Sequence, residues 1–519
     1  MSRQPPVPTG LARLPVVPLL VALLVLHCAL HLRYLDLPPS GFHAWRQTQV
    51  LSIARNFHEE SMNLLEPRVD SRGAHSGITG LEFPLPYYLT AVGYRLFGFQ
   101  DRVHRVVQLL FSLVAILGCY RLGRRLFGAP HWGLAAAAML VLDPLFGYYS
   151  FVAIPDVPMI GFVFLGFAAL LDWAKSARAR DAAAAAAALS VAALFKLSAA
   201  ALWPAAALIL FEGLRRADAR RRALAILSVS LGLLPVAAWY LWARHLSEAH
   251  QNWDFLLGTK FPYPLAIVPG IVRKVLLQWL PEVYVSYPQF ALVVIGLASV
   301  RSTGPRLLGP VLIACALGLV AYGSTILPML GMHDYFMTPV LLPLVLLVTA
   351  GLHRLASSPS RAATAVLVAL VAAAAVVGPW RALSRFERAH LDPDLASMEA
   401  RLPALIPDRS ALVIAASDAS PSIYLYSMHR KGWSATAEVS AAEFATMVAE
   451  GARYLVSDSR ALEARADVCP RLVPAGSVGK FKVFRLADPA APAAASPPAP
   501  PPASAAARAP SARGRETAR

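Results

Sequence analysis

Runs of mostly apolar residues, each about as long as a bilayer is thick, recur from position 14 to position 380, and no other feature constrains the fold as strongly. A helix crossing the hydrocarbon core takes about 20 such residues, because lipid offers the backbone polar groups no other partner. The clearest runs cover 14–32, 103–121, 132–149, 157–174, 182–195 and 197–211. They continue at 223–243, 288–300, 307–327, 336–353 and 362–380. About eleven spans are expected. The first run continues in Ala and Leu without a small-x-small cleavage site, so it reads as a retained span rather than a signal peptide. Composition agrees: of 519 residues, 57% are hydrophobic and 15% charged, where a soluble domain carries about 25% charged. An ordinary soluble enzyme, a disordered chain and a nucleic-acid binder are excluded. Three of the four cysteines (Cys28, Cys119, Cys315) sit inside apolar runs, so no disulfide framework is expected.

The net charge of +17 is mainly a topology signal. Alternate loops hold Arg121, Arg124 and Arg125, then Lys175, Arg178 and Arg180, then Arg215, Arg216, Arg220, Arg221 and Arg222. Arg301 and Arg306, then Arg354 and Arg361, follow on the same side. The positive-inside rule places these loops and the N-terminus in the cytoplasm of a plasma (inner) membrane. The outer side then receives 35–102, the 154–156 turn, the surroundings of Lys196, 245–287, 331–335 and everything after 381. Counting 83–99 as a span would invert every later loop. It is expected instead to be a juxtamembrane helix, with Tyr87, Tyr88 and Tyr94 at the interface.

Three regions follow. Residues 1–384 form the membrane domain, with a first outer loop, 33–102, carrying juxtamembrane helices. Residues 385–488 lose the apolar runs and form a small extracytoplasmic α/β domain. Strands are expected at 411–416, 422–428, 453–456 and 480–485, with a helix over 441–450. The Ala/Pro/Ser-rich tail, 489–519, cannot bury a core and is expected to be disordered.

Polar groups at membrane depth are costly, so their placement informs. They gather on the outer side. The first loop carries Gly-Phe-His-Ala-Trp-Arg-Gln-Thr-Gln at 41–49, Asn-Leu-Leu-Glu-Pro-Arg-Val-Asp at 63–70 and Leu-Glu-Phe-Pro-Leu-Pro-Tyr-Tyr at 81–88. Asp156 stands between two prolines, Lys196 interrupts an apolar stretch, and Gly-Met-His-Asp-Tyr-Phe occupies 331–336. Taken singly, Trp45-Arg46 fits an interfacial anchor, Asp156 a helix cap and Lys196 a snorkelling lysine. Together, acids and cations from four loops on one face fit an outward-facing active site. Lys196 or Arg46 suits a lipid-linked phosphate, and a nearby carboxylate suits proton removal from an acceptor. No nucleotide loop or zinc-spaced cluster is present. No cofactor is expected, and ligands scattered over separate loops give no firm case for a metal.

The order of these motifs resembles the GT-C membrane glycosyltransferases of glycosyltransferase family 39. That family includes protein mannosyltransferases, lipid A aminoarabinose transferases and Rgt-type lipopolysaccharide-core glycosyltransferases. The resemblance runs from about Phe42 to Tyr335 and rests on Ile-Ala-Arg at 53–55, Phe-Pro-Leu-Pro-Tyr-Tyr at 83–88 and Tyr-Arg-Leu-Gly-Arg-Arg-Leu-Phe-Gly at 120–128. It continues in Leu-Asp-Pro-Leu-Phe-Gly-Tyr-Tyr-Ser at 142–150, Pro155-Asp156, Ala-Leu-Phe-Lys at 193–196 and His-Asp-Tyr-Phe at 333–336. It implies an all-α GT-C fold and inverting transfer of a monosaccharide from a polyprenyl-phosphate donor. The acceptor would be an envelope lipid, glycan or protein at the outer face. Asp156 matches the acid of the family's second outer loop, and Lys196 its donor-phosphate lysine. Where many members open the first loop with Asp-Glu, this chain has Arg46-Gln47, as in a His-x-Trp-Arg-Gln subgroup. The catalytic role then passes to Asp156, Glu82, Asp70 or His43. Arg46, Gln47, Lys196, His333 and Tyr335 are expected around the donor. A lipid or solute transporter and an O-antigen ligase or polymerase are the competing readings. The transporter would need charged residues in mid-helix and inverted repeats, and the sequence has neither.

Overall fold

A computed structural model describes residues 15–252, 262–302, 304–468 and 472–486. The expected tail from 489 lies outside the described residues. All eleven apolar runs are helical. Their order is α1 (Val16–His31), α2 (Ala44–Glu59), α3 (Leu85–Phe97), α4 (Asp101–Phe127), α5 (Pro130–Val141), α6 (Pro144–Tyr149), α7 (Asp156–Ser176) and α8 (Ala179–Phe195). Then come α9 (Trp203–Leu214), α10 (Ala219–Ala249), α11 (Val268–Arg273), α12 (Tyr287–Ser299), α13 (Leu308–Thr325), α14 (Leu327–Leu330), α15 (Leu341–Ala356) and α16 (Arg361–Glu387).

Among the described residues, eight helices are long and apolar enough to cross a membrane, or nine if the bent pair Leu265–Tyr284 and Tyr287–Ser299 is one span. The chain is therefore a multi-pass membrane protein, with fewer full-length helices than the eleven runs. The shortfall has local causes. Asp143 accepts from the Phe146 amide at 2.9 Å and starts a new helix at Pro144, which splits the 132–149 run into α5 and α6. Helix α8 has 17 residues and stops at Lys196, whose backbone is extended. Helix α12 has 13 residues and bends away from the segment before it.

Helices α7 and α15 are the most enclosed, and α1, α10 and α16 the most open, with apolar side chains such as Val25, Leu231 and Val376 facing outward. A helix apolar on its outward face is what lipid solvates. Close approach at the centre depends on small residues. A Cβ added to Gly118 of α4 would lie 3.0 Å from the Gly161 carbonyl of α7. One added to Gly351 of α15 would lie 2.2 Å from the Leu292 carbonyl of α12.

Helix α3, within the juxtamembrane run, has 13 residues and is too short to span. Tyr87, Ala91 and Tyr94 pack against Val50, Ala54 and Phe57 of α2, while Leu96 and Phe97 are exposed.

Beyond α16 lie α17 (Pro393–Ala396), α18 (Met398–Arg401), β1 (Val413–Ala416), α19 (Ile423–Met428), β2 (Gly432–Ala435), α20 (Ala441–Ala449), β3 (Tyr454–Ser457), α21 (Arg460–Glu463), β4 (Leu472–Val478) and β5 (Phe481–Leu486). The sheet order is β2-β1-β3-β5-β4, with β2, β1 and β3 parallel and β5 antiparallel to both β3 and β4. The strand expected at 422–428 is a helix instead. Ser420 Oγ accepts from the Ile423 amide at 3.0 Å and Asp418 Oδ2 from the Tyr424 amide at 2.7 Å, which caps α19. Strands β2 and β4 were not legible in the sequence.

The loop between α2 and α3 binds this sheet. Ser71 bridges Gly432 beside β2, and Glu60 pairs with both Arg72 and Lys431. Burial alone would raise the Glu60 pKa, but the bonds from Arg72 and Lys431 outweigh it and hold it at about 2. A depressed carboxyl adds stability above its unfolded value, and that stability drains as pH falls toward the folded value. The contact should therefore loosen between about pH 4.5 and pH 2, read as faster proteolysis of the sheet domain. Glu60→Gln should loosen it at neutral pH and flatten that acid dependence.

Candidate active site

The site is set by where three helices begin or end. The 151–155 loop leads into α7 and is gripped from α4. Arg105, buried, donates to the carbonyls of Phe151 (2.5 Å), Leu37 (2.8 Å) and Pro38 (3.1 Å), and Gln108 donates to Ile154 (3.2 Å). This grip fixes Asp156 at the first turn of α7. Lys196, where α8 ends, places Nζ 2.6 Å from Asp156 Oδ1. The same ammonium lies 4.5 Å from the Tyr335 ring centroid and 5.0 Å from that of Phe336. The other oxygen of Asp156 is buried and faces the Thr338 hydroxyl.

A second pair stands beside the first. Arg46, in the first turn of α2, bonds to Glu82 and to Gln49, and Tyr87 Oη donates to Glu82 Oε1 at 2.7 Å. Burial opposes the Arg46 charge, but Glu82, Tyr87 and Tyr335 outweigh that and hold its pKa above the ordinary arginine range. The charges of Arg46 and Glu82 also act on Lys196, so the two ion pairs form one electrostatic unit.

A third group adjoins them through Tyr335, whose ring is 4.8 Å from that of His43. His43 occupies the left-handed region (φ 57°) at the N-cap of α2. Its Nε2 lies 2.9 Å from Asp334 Oδ1, and its Nδ1 lies 3.2 Å from Nδ1 of His333. Arg385 of α16 donates to Asp334 Oδ2 at 2.8 Å, and Tyr149 of α6 donates to Oδ1. Burial, then the neighbouring His43, pushes the His333 pKa down to about 4.

The structure thus gathers Asp156, Lys196, Arg46, Glu82, Tyr335, His43 and His333. It sets two expected residues apart. Gln47 is buried with its amide donating to the carbonyls of Ser40 (3.0 Å) and Phe42 (3.2 Å), where it pins the loop entering α2. Asp70 is buried against Arg55 and Asn56 under the C-terminal sheet domain. Asp334, Arg385 and Tyr149 had no assigned role. Arg381 and Arg385 carried a signal, being cations at the end of a span on the side expected to be outer, which the positive-inside rule keeps poor in them. Among the described residues, no group of three or more His, Cys, Asp or Glu is arranged to hold a metal ion.

This helical bundle, with its site at one end beside a small sheet domain, has the GT-C fold. Residues 82–242, from Glu82 through Asp156 and Lys196 into α10, match the family model described as dolichyl-phosphate-mannose-protein mannosyltransferase. The crystal structure of ArnT from Cupriavidus metallidurans in the apo state superimposes with a TM-score of 0.63 at 15% identity, covering 91% of this chain and 98% of that one. The same protein bound to undecaprenyl phosphate gives 0.61 at 15% identity, covering 91% and 99%. The oligosaccharyltransferase of Archaeoglobus fulgidus in the apo form gives 0.53 at 11% identity, covering 87% and 70%. No curated protein matches the chain by sequence.

Proposed function

We propose that the chain is an inverting glycosyltransferase of the outer membrane face, moving a monosaccharide from a polyprenyl-phosphate donor to an envelope lipid, glycan or protein. The observation that carries this reading is two buried ion pairs, Lys196–Asp156 and Arg46–Glu82, each within electrostatic reach of the other. Two cations in a low-dielectric site bind a phosphate strongly, and Arg46 offers the fork that matches phosphate oxygens. That one such structural neighbour binds undecaprenyl phosphate supports the donor class. In the reaction the acceptor nucleophile attacks the anomeric carbon opposite the phosphate. The bond from that carbon to the phosphate oxygen breaks, and its electron pair leaves with the polyprenyl phosphate. Lys196 and Arg46 stabilise the charge that develops there. Asp156 and Glu82 hold the two cations and align the acceptor, while Tyr335 lines the donor side. Gln47 supports the loop beneath.

The test is turnover of a panel of radiolabelled polyprenyl-phosphate sugars by purified protein in detergent, with diphosphate-linked donors as the contrast. Monophosphate donors should turn over, and Asp156→Asn should not support it. Arg46→Lys keeps the charge but loses the fork, and transfer should fall about 10- to 100-fold, the equivalent of one charge-assisted hydrogen bond. Turnover of diphosphate-linked donors alone would overturn the monophosphate assignment.

A further inference from the structure

The proposed transfer must dispose of the acceptor's proton, and the carboxylates nearest the phosphate cations are already engaged with those cations. Asp156 is bonded to Lys196, and Glu82 to Arg46 and Tyr87. Protonating either one would break the ion pair that holds a phosphate-binding cation in place. The His333–His43–Asp334 array is differently built. Two ring nitrogens in contact at 3.2 Å require one to donate and the other to accept. Asp334 already accepts from Arg385 and Tyr149, so it also takes an N–H from His43. One proton per contact then puts Nδ1–H of His333 on Nδ1 of His43, and Nε2–H of His43 on Asp334. Nε2 of His333 keeps its lone pair.

We propose that His333 is the base of the transfer and that His43, held by Asp334, receives the proton through it. The acceptor O–H or N–H proton passes to Nε2 of His333 as its bond to the anomeric carbon forms, and the proton on Nδ1 of His333 moves to Nδ1 of His43. The imidazolium produced faces the Asp334 carboxylate. Arg385 and Tyr149 are positioning residues that fix Asp334. The groups facing the two rings are Trp45 from α2, Tyr149 from α6, Lys196 at the end of α8, Arg385 from α16, and Tyr335 and Phe336 beside Asp334. Burial and the neighbouring His43 hold the His333 pKa down at about 4, so the ring is neutral in the resting site at neutral pH, and passing its Nδ1 proton to His43 lets the charge settle beside Asp334.

This assignment rests on the glycosyl-transfer reading, and the tests separate the two. In the donor assay, His333→Gln and His43→Gln should each lower kcat about 10²–10⁴-fold, with undecaprenyl phosphate still bound. The acid limb of the wild-type profile, which reports the pair rather than one ring, should disappear in His333→Gln. Added imidazole should restore part of the rate to His333→Gly. A wild-type rate and profile in His333→Gln, or an unchanged acid limb in a slow His43→Gln, would overturn the relay. Should wild-type protein bind no undecaprenyl phosphate, the transfer reading fails by itself. The hydrogen-bonded pair is then judged by ¹⁵N histidine spectra: coupled titration, lost in His333→Gln, supports it, and two independent titrations overturn it.

Discussion

Lys196→Ala should abolish transfer while the chain remains inserted and folded. The lysine's ammonium contacts both Asp156 and the Tyr335–Phe336 face, and its side chain is 11% exposed. Removing a preorganised charge that stabilises a leaving group typically costs 10²–10³-fold, and a formal cation in a dry site belongs at or beyond the top of that range. The variant has a second consequence. It strands the Asp156 carboxylate, fully buried, without its cation, and a broken buried pair costs about 3–5 kcal/mol. Lys196→Met combined with Asp156→Asn separates the two effects. The double variant should regain thermal stability in detergent and remain inactive. Full activity in Lys196→Ala would remove the phosphate role from this residue.

The helices were legible because lipid enforces a simple rule: a long run of apolar residues has nowhere else to satisfy its backbone. Length was less legible than existence. Asp143-Pro144 looks like a polar interruption within a run, yet an acid that caps the next turn, followed by proline, starts a new helix. In the C-terminal domain the alternation of Ile423, Tyr424, Leu425 and Tyr426 imitates a strand. The caps from Asp418 and Ser420 decide for helix, and Leu425, Tyr426 and Met428 are buried. Short strands such as β2 hold too few residues for periodicity to register.

At the site, Asp156 and Lys196 were legible because each is a charge where charge is expensive. Asp334, Arg385 and Tyr149 were not. Their roles depend on α6, α16 and the turn at Asp334 converging, and sequence spacing carries no trace of that convergence. Gln47 shows the converse. A polar side chain within a motif expected to bind the donor is spent on the backbone carbonyls of its own loop.

Asp70 gives the second large effect, on stability rather than chemistry. Arg55 is 1% exposed and Asp70 2%, and they pair beneath the sheet domain. Arg55 also donates to the Tyr426 carbonyl at 3.0 Å and lies 4.9 Å from that ring's centroid, while Asn56 donates to Asp70 at 3.0 Å. One residue pair thus joins α2, the first long loop and α19. Arg55→Met should leave Asp70 buried and uncompensated, at a cost of about 3–5 kcal/mol, whereas Arg55→Met with Asp70→Leu should recover much of the loss. The damage should reach the site, because Ser422, just before α19, donates to the Trp45 carbonyl at 2.8 Å and so braces the turn carrying His43 and Arg46. Arg55→Met should therefore show early proteolysis of the sheet domain together with reduced transfer. The double variant should recover both. A double variant as unstable as the single would mean that the loss comes from the missing Tyr426 contacts of Arg55 and not from the stranded carboxylate.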